Sequence, residues 1–185
     1  IALCSKAIQC DPSNVLAWFN RGYRYEKIGK HKEAVDDLNQ AISLNANLEA
    51  AIYTRAEAYA GLGQYQKALD DANRAVSHRT SAESLSARAI AYAGLGQFER
   101  GVVESEIIIN TFPKRIIGYM TRGRIYAMMG KFDAAVKDYT CAIQLKPIRY
   151  DSADLYKWRS LAYIKLGKED LAKSDLALAA SNEID

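Results

Sequence analysis

Five glycines, Gly29, Gly63, Gly96, Gly130 and Gly167, recur at intervals of 34, 33, 34 and 37 residues. A period of about 34 residues is that of a solenoid of helical hairpins. Each hairpin in such an array rests only on its neighbours, so this feature argues against one central core. Aligned on the glycines, the units begin near Val15, Glu49, Ala82, Ile116 and Ala153. The apolar pattern predicts two helices per unit, in the first roughly over 15–28 and 31–44. The glycine falls just after the first helix, where the backbone turns left-handed and a missing Cβ removes the strain.

Small residues recur inside the helices. The second helices carry Ala34 and Ala41, Ala68 and Ala75, Ala135 and Ala142, Ala172 and Ala179. A seven-residue interval keeps each pair on one helix face. Each first helix offers a small partner, Gly22, Ala56, Ala89, Gly123 or Ser160, with a tyrosine three residues later: Tyr25, Tyr59, Tyr92, Tyr126 or Tyr163. Small side chains let helix axes approach closely, and a tyrosine ring fills the wedge between them.

This pattern resembles the tetratricopeptide repeat family. The first unit matches on Trp18, Gly22, Tyr25, Gly29, Ala34 and Ala41. The fourth matches on Tyr119, Gly123, Tyr126, Gly130, Phe132, Ala135, Tyr139, Ala142 and Pro147. The resemblance covers almost the whole chain and implies an all-α fold, a right-handed superhelical solenoid of antiparallel helix pairs. Residues 1–12 read as the second helix of a preceding repeat, with Asp11-Pro12 ending it as Lys146-Pro147 ends its counterpart. Residues 13–185 read as five repeats, at approximately 15–48, 49–81, 82–115, 116–149 and 153–185. The sequence opens at Ile1 without the first helix of the leading repeat, so the native chain is expected to begin earlier.

Two units depart from the pattern. The third has Gly101 and Ile108 at its small-residue places, and a glycine within a helix costs about 1 kcal/mol against alanine. That unit is the candidate for the softest or most bent. Before the fifth unit, three extra residues near Tyr150-Asp151-Ser152 should lengthen the loop or the first helix, with Asp151 or Ser152 as its cap.

Each unit places an arginine just before its small residue: Arg21, Arg55, Arg88, Arg122 and Arg159. Each also places an acid in its second helix: Asp37, Asp71, Glu104, Asp138 and Asp175. A stripe of arginines can bind anions, or it can pair with acids to hold the hairpins in register. Because the acids repeat as well, the sequence favours the structural ladder.

The chemistry of an enzyme is missing from this pattern. His31 and His78 have no repeated partner and read as solvated or capping residues. Asp36-Asp37 and Asp70-Asp71 are adjacent on helices and point about 100° apart, which does not make an acid–base pair. The glycines are spread one per unit and form no phosphate-binding loop. No catalytic, metal-binding or cofactor role is therefore expected. The three cysteines, Cys4, Cys10 and Cys141, are odd in number and form no C-x-x-C pair, which suits reduced thiols in a cytoplasmic protein. With 25 basic and 22 acidic residues interspersed, no dense basic run suggests nucleic acid as a partner. No apolar stretch suggests membrane insertion.

The resemblance further implies that first helices line the concave side. The expected partner-binding residues are Phe19, Asn20 and Tyr23 in the first unit, then Tyr53, Thr54 and Glu57 in the second. Ile90 follows in the third, Met120 and Arg124 in the fourth, and Trp158 in the fifth. Glu26, Lys27 and Glu83 share the same inward phase. The two-carboxylate clamp of chaperone-tail readers in the family is absent from these places, and Glu83 would repel a carboxylate. The asparagine ladder of glycosyltransferase-associated arrays is also absent, its places holding Asn20, Thr54, Ala87, Thr121 and Trp158. The reading is a non-enzymatic scaffold that binds a protein, as an extended peptide or a helix, through aromatic and apolar anchors. The alternatives are a module that self-associates through its terminal helices, where Leu171, Leu176 and Leu178 are apolar, and an accessory array of a longer enzyme.

Overall fold

The computed structural model describes residues 1–145 and 149–182. Its described elements are eleven helices, and they fall into two units, Ile1–Gln97 and Phe98–Asp185. The all-α expectation holds. The first unit comprises α1 (Ala2–Cys10), α2 (Val15–Lys27), α3 (His31–Leu44), α4 (Glu49–Gly61), α5 (Tyr65–His78) and α6 (Ala82–Gly94). Each helix packs on the next in sequence, and α4 also touches both α2 and α6. The second unit comprises α7 (Phe98–Thr111), α8 (Ile117–Met128), α9 (Phe132–Gln144), α10 (Arg149–Lys165) and α11 (Glu169–Ser181). The packing rule repeats there, with α8 also meeting α10.

The recurrent glycines make the hairpins. All five have positive φ, between 69° and 78°. At the end of α2, the Lys30 N–H donates to the Tyr25 carbonyl and the Gly29 N–H to the Glu26 carbonyl, both at 2.9 Å. This pair of bonds satisfies two of the carbonyls that a helix end leaves open. The same pair recurs after α4, α6, α8 and α10, and the outer acceptor is always the repeated tyrosine: Tyr59, Tyr92, Tyr126 or Tyr163. The tyrosine place thus fixes both a ring and the carbonyl that closes the turn.

The small residues sit where the helices cross. Ala34, Ala41, Ala68, Ala75, Ala135 and Ala142 are fully buried. A Cβ on Gly22 would come within 2.9 Å of Leu38 Cγ, and one on Gly123 within 2.7 Å of the Tyr139 ring. Three further glycines, Gly61, Gly94 and Gly118, are needed for close approach. A Cβ on Gly61 would meet the His31 ring at 2.5 Å, and one on Gly94 the Tyr65 ring at 2.0 Å. His31, expected to be solvated or capping, instead lays its ring against the next first helix, because Gly61 leaves room for it.

The extra residues before the fifth unit lengthen a helix. At 17 residues, α10 begins at Arg149, ahead of Ala153. Asp151 and Ser152 lie inside it, so neither is the cap expected from sequence. Lys146 and Pro147, read as a helix stop, lie outside the described residues. In the third unit, Gly101 and Ile108 are both buried in α7, and the Ser105 hydroxyl donates to the Gly101 carbonyl at 2.9 Å.

Candidate functional site

The arginines are engaged within the fold. Arg21 grips Asp37 with Nε and Nη2, both at 2.7 Å, while Nη1 donates to Ser5 Oγ at 3.0 Å. Arg55 grips Asp71 at 2.7 and 2.8 Å, and its Nη1 donates to Asn39 Oδ1 at 2.7 Å. In the second unit, Arg122 holds Asp138 at 2.8 and 2.9 Å, with Glu106 3.6 Å from Nη1. Arg159 holds Asp175 at 2.8 and 2.7 Å and donates to Thr140 Oγ1 at 3.0 Å. In each of these four rungs the fork closes on the acid of its own hairpin. The remaining nitrogen reaches the second helix of the preceding hairpin, so one guanidinium ties three helices together. In the remaining pair read from sequence, Arg88 belongs to the first unit and Glu104 to the second.

Rings complete each rung. Arg21 lies over Trp18 at 5.0 Å, Arg55 over Tyr59 at 5.8 Å, and Arg122 near Tyr119 and Tyr126 at 6.0 and 5.9 Å. Arg159 lies near Tyr156 and Tyr163 at 5.6 and 5.8 Å. Planar guanidinium on an aromatic face adds attraction that a lysine would not supply as well. The hydrogen bond to Asp37 holds the Arg21 guanidinium above its already high ordinary value. For Arg55 burial works the other way, and the bonds and charge of Asp71 outweigh it.

The sequence-predicted binding residues form two groups, one in each unit. In the first, Phe19, Asn20 and Tyr23 lie on α2, Tyr53, Thr54 and Glu57 on α4, and Ile90 on α6. The rings of Phe19 and Tyr23 are 6.2 Å apart. Phe19 and Tyr53 pack their inner sides on the core that includes Leu38, Ile42 and Ile52, while Tyr23 is 41 % exposed. Asn20 is exposed and Glu57 half-buried. Thr54 and Ile90 differ from their expected placement: they are 0 % and 7 % exposed. The Thr54 hydroxyl donates to the Ala50 carbonyl at 2.7 Å, so it is engaged within its own helix and beneath the face rather than on it.

Lys27 joins this group. Its ammonium lies 3.0 Å from Glu26 Oε2, 3.8 Å from Glu57 Oε2 and 5.3 Å from the centre of the Tyr23 ring. Burial opposes its charge, and the two carboxylates reverse that effect and hold its pKa above the ordinary lysine value. Tyr53 is pushed up to about 12, first by burial and then by the charges of Glu83 and Glu57.

In the second unit, Met120 and Arg124 lie on α8 and Trp158 on α10. Arg124 sits over the Trp158 ring at 5.3 Å, and Trp158 meets Tyr139 at 6.2 Å. Met120 and Trp158 are half-buried against Tyr139, Ala142 and Leu155. The three residues therefore form one cluster, with the arginine held by the ring.

Among the described residues, no group of three or more His, Cys, Asp or Glu side chains could hold a metal ion. No helix among them is long and apolar enough to cross a membrane. The three cysteines are free thiols.

Comparison with known proteins follows the repeat. Two tetratricopeptide repeat family models match, one over residues 3–36 and the other over residues 116–147. A thermophilic tetratricopeptide repeat protein of Thermus thermophilus superposes with a TM-score of 0.79 at 19 % identity, covering 91 % of each chain. A tetratricopeptide repeat protein of Parabacteroides merdae superposes with a TM-score of 0.81 at 23 % identity, covering 98 % of this chain and 70 % of the other. YrrB, described as a tetratricopeptide repeat protein with an unusual peptide-binding site, gives 0.56 at 16 % identity, covering 98 % of this chain and 93 % of the other. At these identities the likeness is one of fold.

Proposed function

We propose that this chain, which is a tetratricopeptide repeat protein, is a non-enzymatic scaffold that docks an extended peptide or a helix on its first-helix faces. The coarse part of that reading follows from the fold, whose usual role is protein–protein interaction. The finer part rests on one observation: Phe19 and Tyr53 rest their inner sides on one core, and Tyr23, 6.2 Å from the Phe19 ring, is open to solvent. Rings anchored in this way lose little side-chain freedom on binding, which makes them efficient anchors. Asn20 and Glu57 supply polar contacts at the edge, and Thr54 and Ile90 support the face from below. Met120, Arg124 and Trp158 provide a second anchor cluster in the second unit. The clamp for chaperone tails has no counterpart in these residues, and the carboxylates of Glu57 and Glu83 disfavour an acidic tail. The peptide-binding site named for YrrB is compatible with this use of the fold.

Selection of binders from a displayed peptide library against the full chain provides the test. Selected peptides should lose about tenfold or more in affinity for Phe19→Ala/Tyr23→Ala/Tyr53→Ala. Tyr23→Ala alone, at an exposed position, should lose part of that while keeping native helical circular dichroism. Unchanged affinity in the folded single and triple variants rejects the reading.

A second reading is self-association. Leu171 and Leu178 stand seven residues apart on α11 and are exposed, with Leu176 also exposed nearby and Leu161 and Ile164 exposed on α10. Light scattering over a concentration series should show dimers that Leu171→Lys/Leu178→Lys abolishes; a monomer throughout removes this reading.

A further inference from the structure

We infer that the face made by α2, α4 and α6 selects a basic segment, with a lysine or arginine side chain seated beside Tyr23 against the carboxylate of Glu57. This rests on the docking role proposed above and specifies the chemistry of what docks there. The protein already shows what that face accepts, because its own Lys27 occupies the place. The Lys27 ammonium is held by two carboxylates, at 3.0 and 3.8 Å, and by the face of an aromatic ring at 5.3 Å. Paired acids and a ring face are the chemistry of a cation site. Lys27 is 50 % exposed and Glu57 26 %, while Glu26 is only 13 % exposed, so the side open to solvent is that of Lys27 and Glu57.

The field extends beyond Lys27. Glu83, Glu57 and Glu49 all act on Tyr53 with the sign that opposes a negative phenolate. These acids lie near the Tyr53 hydroxyl, although the chain as a whole carries a net charge of +3. A segment that alternates apolar and basic residues meets both demands of this surface: apolar contact with Phe19 and Tyr53, and positive charge against Glu57 and Glu83. Charge of this kind adds discrimination and encounter rate to the affinity that the rings provide. An acidic or phosphorylated segment meets repulsion at the same place.

Fluorescence anisotropy with the full chain and three labelled short peptides tests the inference. In these peptides leucine alternates with lysine, with serine or with glutamate. The lysine peptide should bind about tenfold tighter than the serine peptide, and the glutamate peptide more weakly than either. Glu57→Gln and Glu83→Gln should each weaken the lysine peptide by about threefold or more. Asp36→Asn, at an exposed position on α3, should leave it within about twofold. Lys27→Ala should tighten it, because the resident ammonium no longer competes. Equal binding of lysine and glutamate peptides overturns the inference, and if Tyr23→Ala weakens both, the docking role survives its failure. Loss in Asp36→Asn equal to that in Glu57→Gln also overturns it, since the attraction is then diffuse. A lysine peptide that fails to bind, or binds more weakly to Lys27→Ala, overturns it as well; the docking role is then decided by the library-selected peptides.

Discussion

At the scale of the residue, the rung of arginine and acid decides how the hairpins are held. Asp71 keeps only 11 % of its side chain exposed, and Arg55 16 %. A carboxylate so placed is destabilising unless paired, so removing one partner costs more than the pair contributes. Arg55→Leu and Asp71→Ala should each lower stability by about 2–3 kcal/mol. The double variant should cost clearly less than the sum. Urea denaturation followed by circular dichroism measures all three, and strict additivity would sink the argument. The arginines and acids were legible in the sequence because both recur at one place in every unit. The third partner was not. Ser5, Asn39, Glu106 and Thr140 share a position but not one functional group, since any oxygen within reach, of a hydroxyl, an amide or a carboxylate, serves a guanidinium N–H.

At the scale of the element, glycine does two different things. The periodic glycines end helices with positive φ, and their regular interval made them visible in the sequence. Gly61 and Gly94 lie at helix ends where the ring of the preceding hairpin must pass; they are in phase with the repeat, but the other units hold Lys27, Met128 and Lys165 there, so the place does not recur through the chain. Alanine at Gly94 would gain about 1 kcal/mol of helix propensity. It would also put a Cβ 2.0 Å from the Tyr65 ring, a displacement the ring cannot make without moving bodily. Overpacking of this kind costs about 1–3 kcal/mol. Gly94→Ala should therefore lower the thermal midpoint, and Tyr65→Ala in the same chain should make the alanine harmless or favourable. If Gly94→Ala stabilises the otherwise native protein, the ring is not held as described. The same scale explains α10. The extra residues were visible as a longer interval, but helix and loop were both open to them until Arg149–Lys165 proved to be one helix.

At the scale of the whole molecule, each unit is built from contacts between helices adjacent or next-but-one in sequence. A raised tyrosine in each gives the chain a common alkaline limit. Burial pushes Tyr53 in the first unit up to about 12 from an ordinary 10, and pushes Tyr139 in the second up as well. For an acid whose pKa is raised on folding, the folded state holds its proton more tightly. Its contribution is complete below pH 10 and is lost as pH climbs towards 12. Helicity should therefore hold to about pH 10 and fall above it. Tyr53→Phe, which removes the ionisation and keeps the ring, should move the onset upward; an unchanged onset would mean that other groups govern it. The sequence by itself determined the helical hairpins, their phase and their turns, because those depend on short-range periodicity and on residues that tolerate only certain backbone shapes. Tertiary structure alone decided that Thr54 and Ile90 lie beneath the face, and that Lys27 bridges from the Tyr23 ring to Glu57 on the next hairpin. Burial and the field at a point are sums over neighbours from several helices, and no single helix carries that sum in its own residues.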